Sequence, residues 1–199
     1  MPTVRSQRHS APRRLQVVLA ALVPFMGVEA GARATSRMQL SVQGVLGDAV
    51  NLGPPYQARP TILVFMSRRA KDESSAFARA LDETLLNAPV ESVGVVDVRR
   101  YAGLLRRVAT SYLKKSASEA LDHRRERRVA MGIDASAEVV NRWHLIGDFD
   151  GALFERFSVE REPARPLAFL VDRDGGVHGP FADVTSVVSA YSTSSPPPR

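Results

Sequence analysis

Ser67, Arg68, Arg69 and Lys71 stand close together in "LVFMSRRAKDESSAF" (63–77), where an apolar run gives way to a polar turn and then to helical spacing. A helix N-terminus presents unpaired backbone N–H groups and the positive end of the helix dipole. Three cations and a hydroxyl placed there can hold an anion or an acidic peptide. Asp72 and Glu73 follow at once and offset part of that charge, so a solvated surface turn is the competing reading. Ser67 can act as a nucleophile only with a base in reach, and no G-x-S-x-G or comparable serine pattern surrounds it.

A second basic group is "HRRERR" (123–128), preceded by Lys114 and Lys115; residues 101–132 carry eight basic side chains against three acidic. On a helix these can meet phosphates or an anionic membrane surface, or form its wet face. The acidic candidates are two D-x-D-G turns, "GDFDGALF" and "VDRDGGVH". Each holds only part of a calcium loop, without the further oxygen ligands and the closing Glu, so both are expected to be turns. His123, His144 and His178 are too widely spaced for a zinc site. The chain has no cysteine, which excludes disulfides, thiolate metal sites, cysteine nucleophiles and dithiol redox chemistry. No metal and no cofactor are expected.

The elements that must position these residues follow from periodicity. Residues 1–34 read as an export signal: Arg5, Arg8, Arg13 and Arg14 precede the apolar run "LQVVLAALVPFMGV", and "ARA" offers small residues for cleavage after Ala34. The run has 14 residues, short of the roughly 20 needed to cross a bilayer; an uncleaved anchor and a twin-arginine route are the alternatives. Residues 1–34 hold five of the 27 Lys and Arg and one of the 21 Asp and Glu, leaving +2 on the processed chain. The basicity is therefore mostly targeting charge, and nucleic acid is not an expected partner.

"MQLSVQGVLGDAVNL" alternates as two short strands about a Gly and Asp turn, and "TILVFM" (61–66) suits a central strand covered on both faces. Phe77, Leu81 and Leu85 recur every four residues in a helix from Lys71 to about Asn87, and "VESVGVVDV" (90–98) is a further buried strand. Strand, helix and strand make a right-handed, parallel βαβ unit. Leu105, Ala109, Tyr112, Leu113 and Ala117 set the apolar face of a long helix, or two, over 101–131, with Gly132 as its cap. "RWHLIGD" reads as a strand, "GALFERFSV" as a short helix, "LAFLV" and "GVHGPF" as a hairpin, and "DVTSVVSAYST" as a last helix. Tyr112 and Trp143 are large enough to line a groove, but core packing is expected of both.

This order is similar to the thioredoxin-like fold. "HLIGDFDGALFERFSV" followed by "RPLAFLVDRDGGV" resembles the peroxiredoxin and redoxin pattern. Over residues 40–182 the chain resembles the exported YtfJ-type family: a cleavable signal, a turn of small, basic and hydroxyl residues in place of the redox motif, an aromatic segment like "NRW", and the paired "GDFDG" and "VDRDGG" turns. The resemblance implies an α/β three-layer sandwich with a mixed central sheet and flanking helices. It puts Ala70 and Glu73 near the positions of two redox cysteines, and a cis bond before Pro166 beside the site; a trans proline opening an edge strand is the alternative. It also implies a periplasmic address, but no reaction.

The expected organisation is a signal peptide over 1–34, a thioredoxin-like domain over 35–191 and a disordered tail over 192–199. The expected function is non-redox binding of a protein partner or acidic ligand in the groove between the turn and Pro166, by Ser67, Arg68, Arg69, Lys71 and Pro166. The processed chain is expected to be a monomer without a stable membrane span, and no catalytic residue is assigned. Two other readings stay open: an enzyme of another class using non-cysteine residues in the same cleft, and an anionic-surface binder working through the basic helix.

Overall fold

A computed structural model describes residues 39–54, 59–101, 103, 105–140 and 142–194; the expected signal peptide and its cleavage site lie outside them. In chain order the elements are β1 (Leu40–Gln43), β2 (Ala49–Leu52), β3 (Thr61–Met66), α1 (Lys71–Thr84), β4 (Glu91–Asp97), α2 (Leu105–Ala130), α3 (Ala137–Val140), β5 (Trp143–Asp148), α4 (Ala152–Arg156), β6 (Leu167–Val171), β7 (Val177–Phe181) and α5 (Val184–Ser194). The helix α5 continues past position 192, where the tail was expected to begin. Among the described residues no helix is long and apolar enough to cross a membrane.

The central sheet has the order β5-β4-β3-β6-β7, with β3, β4 and β5 parallel and β6 and β7 antiparallel to their neighbours. The strands β1 and β2 form a separate antiparallel hairpin. Side chains alternate along a strand, so each strand feeds both faces. Leu63, Phe65, Val93, Val95, Ile146 and Phe169 form one core with Leu153, Phe154 and Phe157 from and beside α4, and with Val50 and Leu52 of the hairpin. The opposite face carries Ile62, Val64, Ala168 and Leu170 under α1 and α5, and Leu145 under Leu113 and Ala117 of α2. This is the mixed-sheet, three-layer arrangement expected from the sequence.

The 26-residue helix α2 is a single element, resolving the alternative of one helix or two. It ends where Gly132 turns left-handed (φ 67°): the Gly132 N–H donates to Val129 O (3.0 Å) and the Ile133 N–H to Arg128 O (3.0 Å). This pair of bonds satisfies the last carbonyls.

Two expectations fail. The bond before Pro166 is trans; among the described residues the cis peptide is Gly179–Pro180, in β7. On the approach to β6 a left-handed Glu162 (φ 49°) turns the chain, and Pro163 O accepts a hydrogen bond from Ser67 Oγ at 2.8 Å, so no cis bond is required at Pro166. Tyr112 is not core but 61% exposed. The helix presents Ala109, Leu113 and Ala117 to the sheet, a stripe of spacing four that rotates Tyr112 outward. Trp143 is partly buried against the core formed by Val98, Leu113, Ala117 and Leu145.

Candidate functional site

The helices α1 and α2 lie over the same face of the sheet without closing on each other. Their facing sides carry small residues, Ser74, Ser75 and Ala78 on α1 and Ala109, Ser116 and Ala120 on α2, and the strand between them contributes Gly94. The result is a cavity of about 610 Å³. Packed interiors contain few voids larger than a water molecule, whereas small-molecule sites run to roughly 300–1,000 Å³. Its walls are mainly apolar and include Val64, Val96, Leu81, Leu145, Trp143 and Tyr101. Leu105, Val108 and Tyr112, all exposed, also line it.

Ser67, Arg68 and Lys71 line this cavity; Arg69 and Pro166 do not. Ser67 is buried, and its hydroxyl donates to Pro163 O and accepts from the Ala70 N–H at 3.3 Å. Both partners are backbone groups, so its role is to fix the turn, and among the described residues no base hydrogen-bonds to it to support nucleophilic chemistry. Ala70, at one of the positions the resemblance gave to a cysteine, is buried as the N-cap of α1. Arg68, Arg69 and Lys71 are exposed. Pro166 is buried, one residue before Leu167, which pairs with Phe65 in the sheet. Three of the five expected residues thus face a cavity between two helices, to whose lining Arg69 and Pro166 do not contribute.

The ends of the parallel strands β4 and β5 carry paired acidic residues, Asp97 and Asp148, in register with each other. Asp97 accepts from Arg99 at its Nε (3.0 Å), Nη2 (2.7 Å) and backbone N–H (3.2 Å), and from the Glu162 N–H (3.3 Å). Arg99 also lies over the Phe154 ring, 5.2 Å from its centroid. Asp148 accepts the backbone N–H groups of Gly151 (3.1 Å), Leu153 (3.0 Å) and Phe154 (3.0 Å). The first D-x-D-G turn is therefore a built-in anion at the start of α4. Its glycine is required: Gly151 has φ 85°, and a Cβ there would lie 2.6 Å from Arg99 Cδ. The second turn repeats the pattern, with Asp172 accepting from the Asp174 (2.9 Å) and Gly176 (2.8 Å) N–H groups. These carboxylates are committed to the fold.

Burial alone raises the Asp97 carboxyl, but the hydrogen bonds from Arg99 and the Glu162 N–H outweigh it and hold the group below the usual carboxylate range. A carboxyl whose folded value is depressed adds stability above its unfolded value, near pH 4, and loses it as pH falls through the folded one. Asp148 has the opposite sign, since burial pushes it up and Asp150 adds to this, against the pull of the Phe154 and Gly151 N–H groups. Asp97→Asn is accordingly expected to cost roughly 1.5–3 kcal/mol at neutral pH, the worth of hydrogen bonds to a charged group. It should also flatten, relative to wild type, the fall in stability as pH drops below about 4. Urea unfolding at a series of pH values checks both; parallel acid limbs would mean that Asp97 carries no titrating stability.

The basic run on α2 has a structural use. Arg124 Nη1 lies 2.7 Å from Asp82 Oδ1 of α1, and Arg127 reaches Glu83 (3.3 Å) and Asp82 (4.0 Å). Arg128 donates through Nε to Asp134 O and through Nη1 to Leu86 O. Three of the four arginines of "HRRERR" thus fasten α2 to α1 and to its own exit loop, which removes most of the cluster an anionic-surface binder would use.

Reasoning from the sequence located the turn but missed the cavity. Its signal was present in the small residues Ser74, Ser75 and Ala78 facing Ser116 and Ala120.

No sequence-family model matches the chain, and no curated protein sequence matches it. Among solved structures it is similar to the pneumococcal exposed lipoprotein thioredoxin Etrx1 from Streptococcus pneumoniae strain TIGR4, at 16% identity and a TM-score of 0.51, covering 78% of this chain and 99% of that one. It is also similar to BsSco, a member of the Sco family of cytochrome c oxidase assembly proteins, at 13% identity and a TM-score of 0.50, covering 81% and 96%. At these identities the likeness concerns fold alone, and the fold of this cysteine-free chain is thioredoxin-like.

Proposed function

We propose that this chain is an exported, monomeric, non-redox protein of thioredoxin-like fold that binds an acidic ligand beside the turn at 67–71. The observation that carries the reading is that Ser67, Arg68 and Lys71 open onto a large apolar cavity in a chain without cysteine. A turn that cannot exchange electrons still offers the N-terminal end of α1 and two cations to an anion. Export is supported by the basic and apolar pattern of residues 1–34, and the similar Etrx1 is described as an exposed lipoprotein. The finer likeness to YtfJ-type exported proteins belongs to the same proposal and rests on the order of the "NRW", "GDFDG" and "VDRDGG" segments.

In-cell photocrosslinking tests it, with the probe residue at Ser75, which is exposed and lines the cavity. Intact-mass measurement of the purified protein is expected to show an N-terminus at Thr35 and a discrete adduct. The adduct should be lost in an Arg68→Glu, Lys71→Glu variant. An adduct indifferent to that charge reversal, or no adduct at all, would overturn binding at this site.

A further inference from the structure

The cavity behind the turn has a chemistry of its own. Resting on the binding reading above, we infer that its ligand is a single-chain amphiphile with an anionic head, a long-chain carboxylate or phosphate monoester. The chain lies between α1 and α2, and the head sits at Arg68 and Lys71.

Four observations carry this. First, the cavity is elongated: its walls run along α1 from Lys71 to Asp82 and along α2 from Leu105 to Ala120, about 16 Å and 22 Å at 1.5 Å per residue. Second, those walls are mainly apolar, and burying an alkyl chain there removes it from water. Third, the charges are uneven. Two carboxylates line the cavity, but Asp97 is paired with Arg99 and Asp82 with Arg124. Arg68 and Lys71 make no ion pair among the described residues, and Asp72 and Glu73 are not in the walls. The uncompensated charge is positive and sits at the end where α1 begins. Fourth, Ser74, on the first turns of α1 and 3% exposed, has a buried Oγ with no hydrogen-bond partner. Such a group ordinarily has one, and a head group held at Arg68 and Lys71 would bring oxygens to it. A peptide would leave its backbone groups unsatisfied against apolar walls; an alkyl chain has none to satisfy.

The single tryptophan of the chain, Trp143, lines the cavity, so its fluorescence reports occupancy directly. The processed protein is titrated with octanoate, decanoate, dodecanoate and hexadecanoate below their micellar concentrations, with hexadecyl phosphate, and with hexadecanol as the neutral counterpart. Affinity is expected to rise by about fourfold per added methylene until the chain fills the cavity. Both anionic heads should bind at least tenfold more tightly than the alcohol, and Arg68→Glu, Lys71→Glu should remove that advantage while leaving hexadecanol binding unchanged. Ala78→Phe and, separately, Ala120→Phe should abolish the fluorescence response while circular dichroism shows the fold intact.

Absence of any response across the series would overturn the proposal, as would affinity independent of chain length, or a response that survives both filling substitutions. If at the same time the in-cell adduct at Ser75 persists and has the mass of a protein, binding at the turn stands and the amphiphile is wrong. If neither is seen, both readings fall.

Discussion

Asp82→Ala is expected to cost about 3–5 kcal/mol, the usual price of leaving a buried charge without its partner. Arg124 is 7% exposed, and its contact with Asp82 is one of charge more than of alignment: Nη1 lies 2.7 Å from Oδ1, yet neither Nε nor Nη1 makes a well-directed hydrogen bond. Burial already depresses the Arg124 guanidinium, Asp82 opposes that, and Arg128 adds to it. Removing the carboxylate leaves Arg124 without its acidic partner while the like charges of Arg128, Arg142 and Arg127 still act on it. Urea unfolding measures the loss, and the decisive comparison is the double variant Asp82→Ala, Arg124→Met, which removes the orphaned charge and should recover much of it. A single variant within about 1 kcal/mol of wild type would show that water or Glu83 already serves Arg124.

Phe65→Ala should be of similar size, about 3–5 kcal/mol for a fully buried aromatic. Phe65 is wholly inaccessible, and its ring meets Phe154 (5.0 Å between centroids, edge-on), Phe157 (5.2 Å) and Phe169 (5.5 Å, edge-on). One truncation therefore removes contacts to β6, to α4 and to the segment after it. Against a total of about 5–15 kcal/mol for an ordinary domain, the variant is expected to melt far below wild type, with Phe65→Leu losing less than half as much. Tyr112→Ala, at an exposed position of α2, should change stability by no more than about 0.5 kcal/mol. Equal effects at the two positions would contradict the layering described above.

The difference between Phe65 and Tyr112 also shows where sequence reading succeeded. An uninterrupted run such as "TILVFM" leaves no choice of face, because both are covered. The succession of strands along the chain, the crossover through α1 and the hairpin of β6 and β7 follow from such runs and from turn chemistry at D-x-D-G. A long helix is different. Over 101–131 several apolar stripes are available, and the one that meets the sheet is fixed by Leu113 and Ala117 against Leu145, a contact far apart in sequence. The same holds for the site. Local pattern located Ser67, Arg68 and Lys71, while the cavity they open on arises from two helix faces and Gly94 brought together only by folding. "HRRERR" looked like a surface device because its partners Asp82, Leu86 O and Asp134 O belong to other segments.

The fastening of α2 is lopsided. Its ion pairs and carbonyl contacts to α1 and the exit loop all lie at Arg124, Arg127 and Arg128, whereas its first two turns present Leu105, Val108 and Tyr112 to solvent. Toward its N-terminal end the helix is held by buried Ala109 and Leu113 and by Arg106 over the Phe149 ring, 4.5 Å from its centroid. Amide hydrogens near 105–112 should exchange sooner than those near 117–128, because local opening needs only the loss of few contacts. Local opening of that end would widen the part of the cavity that Leu105, Val108 and Tyr112 line.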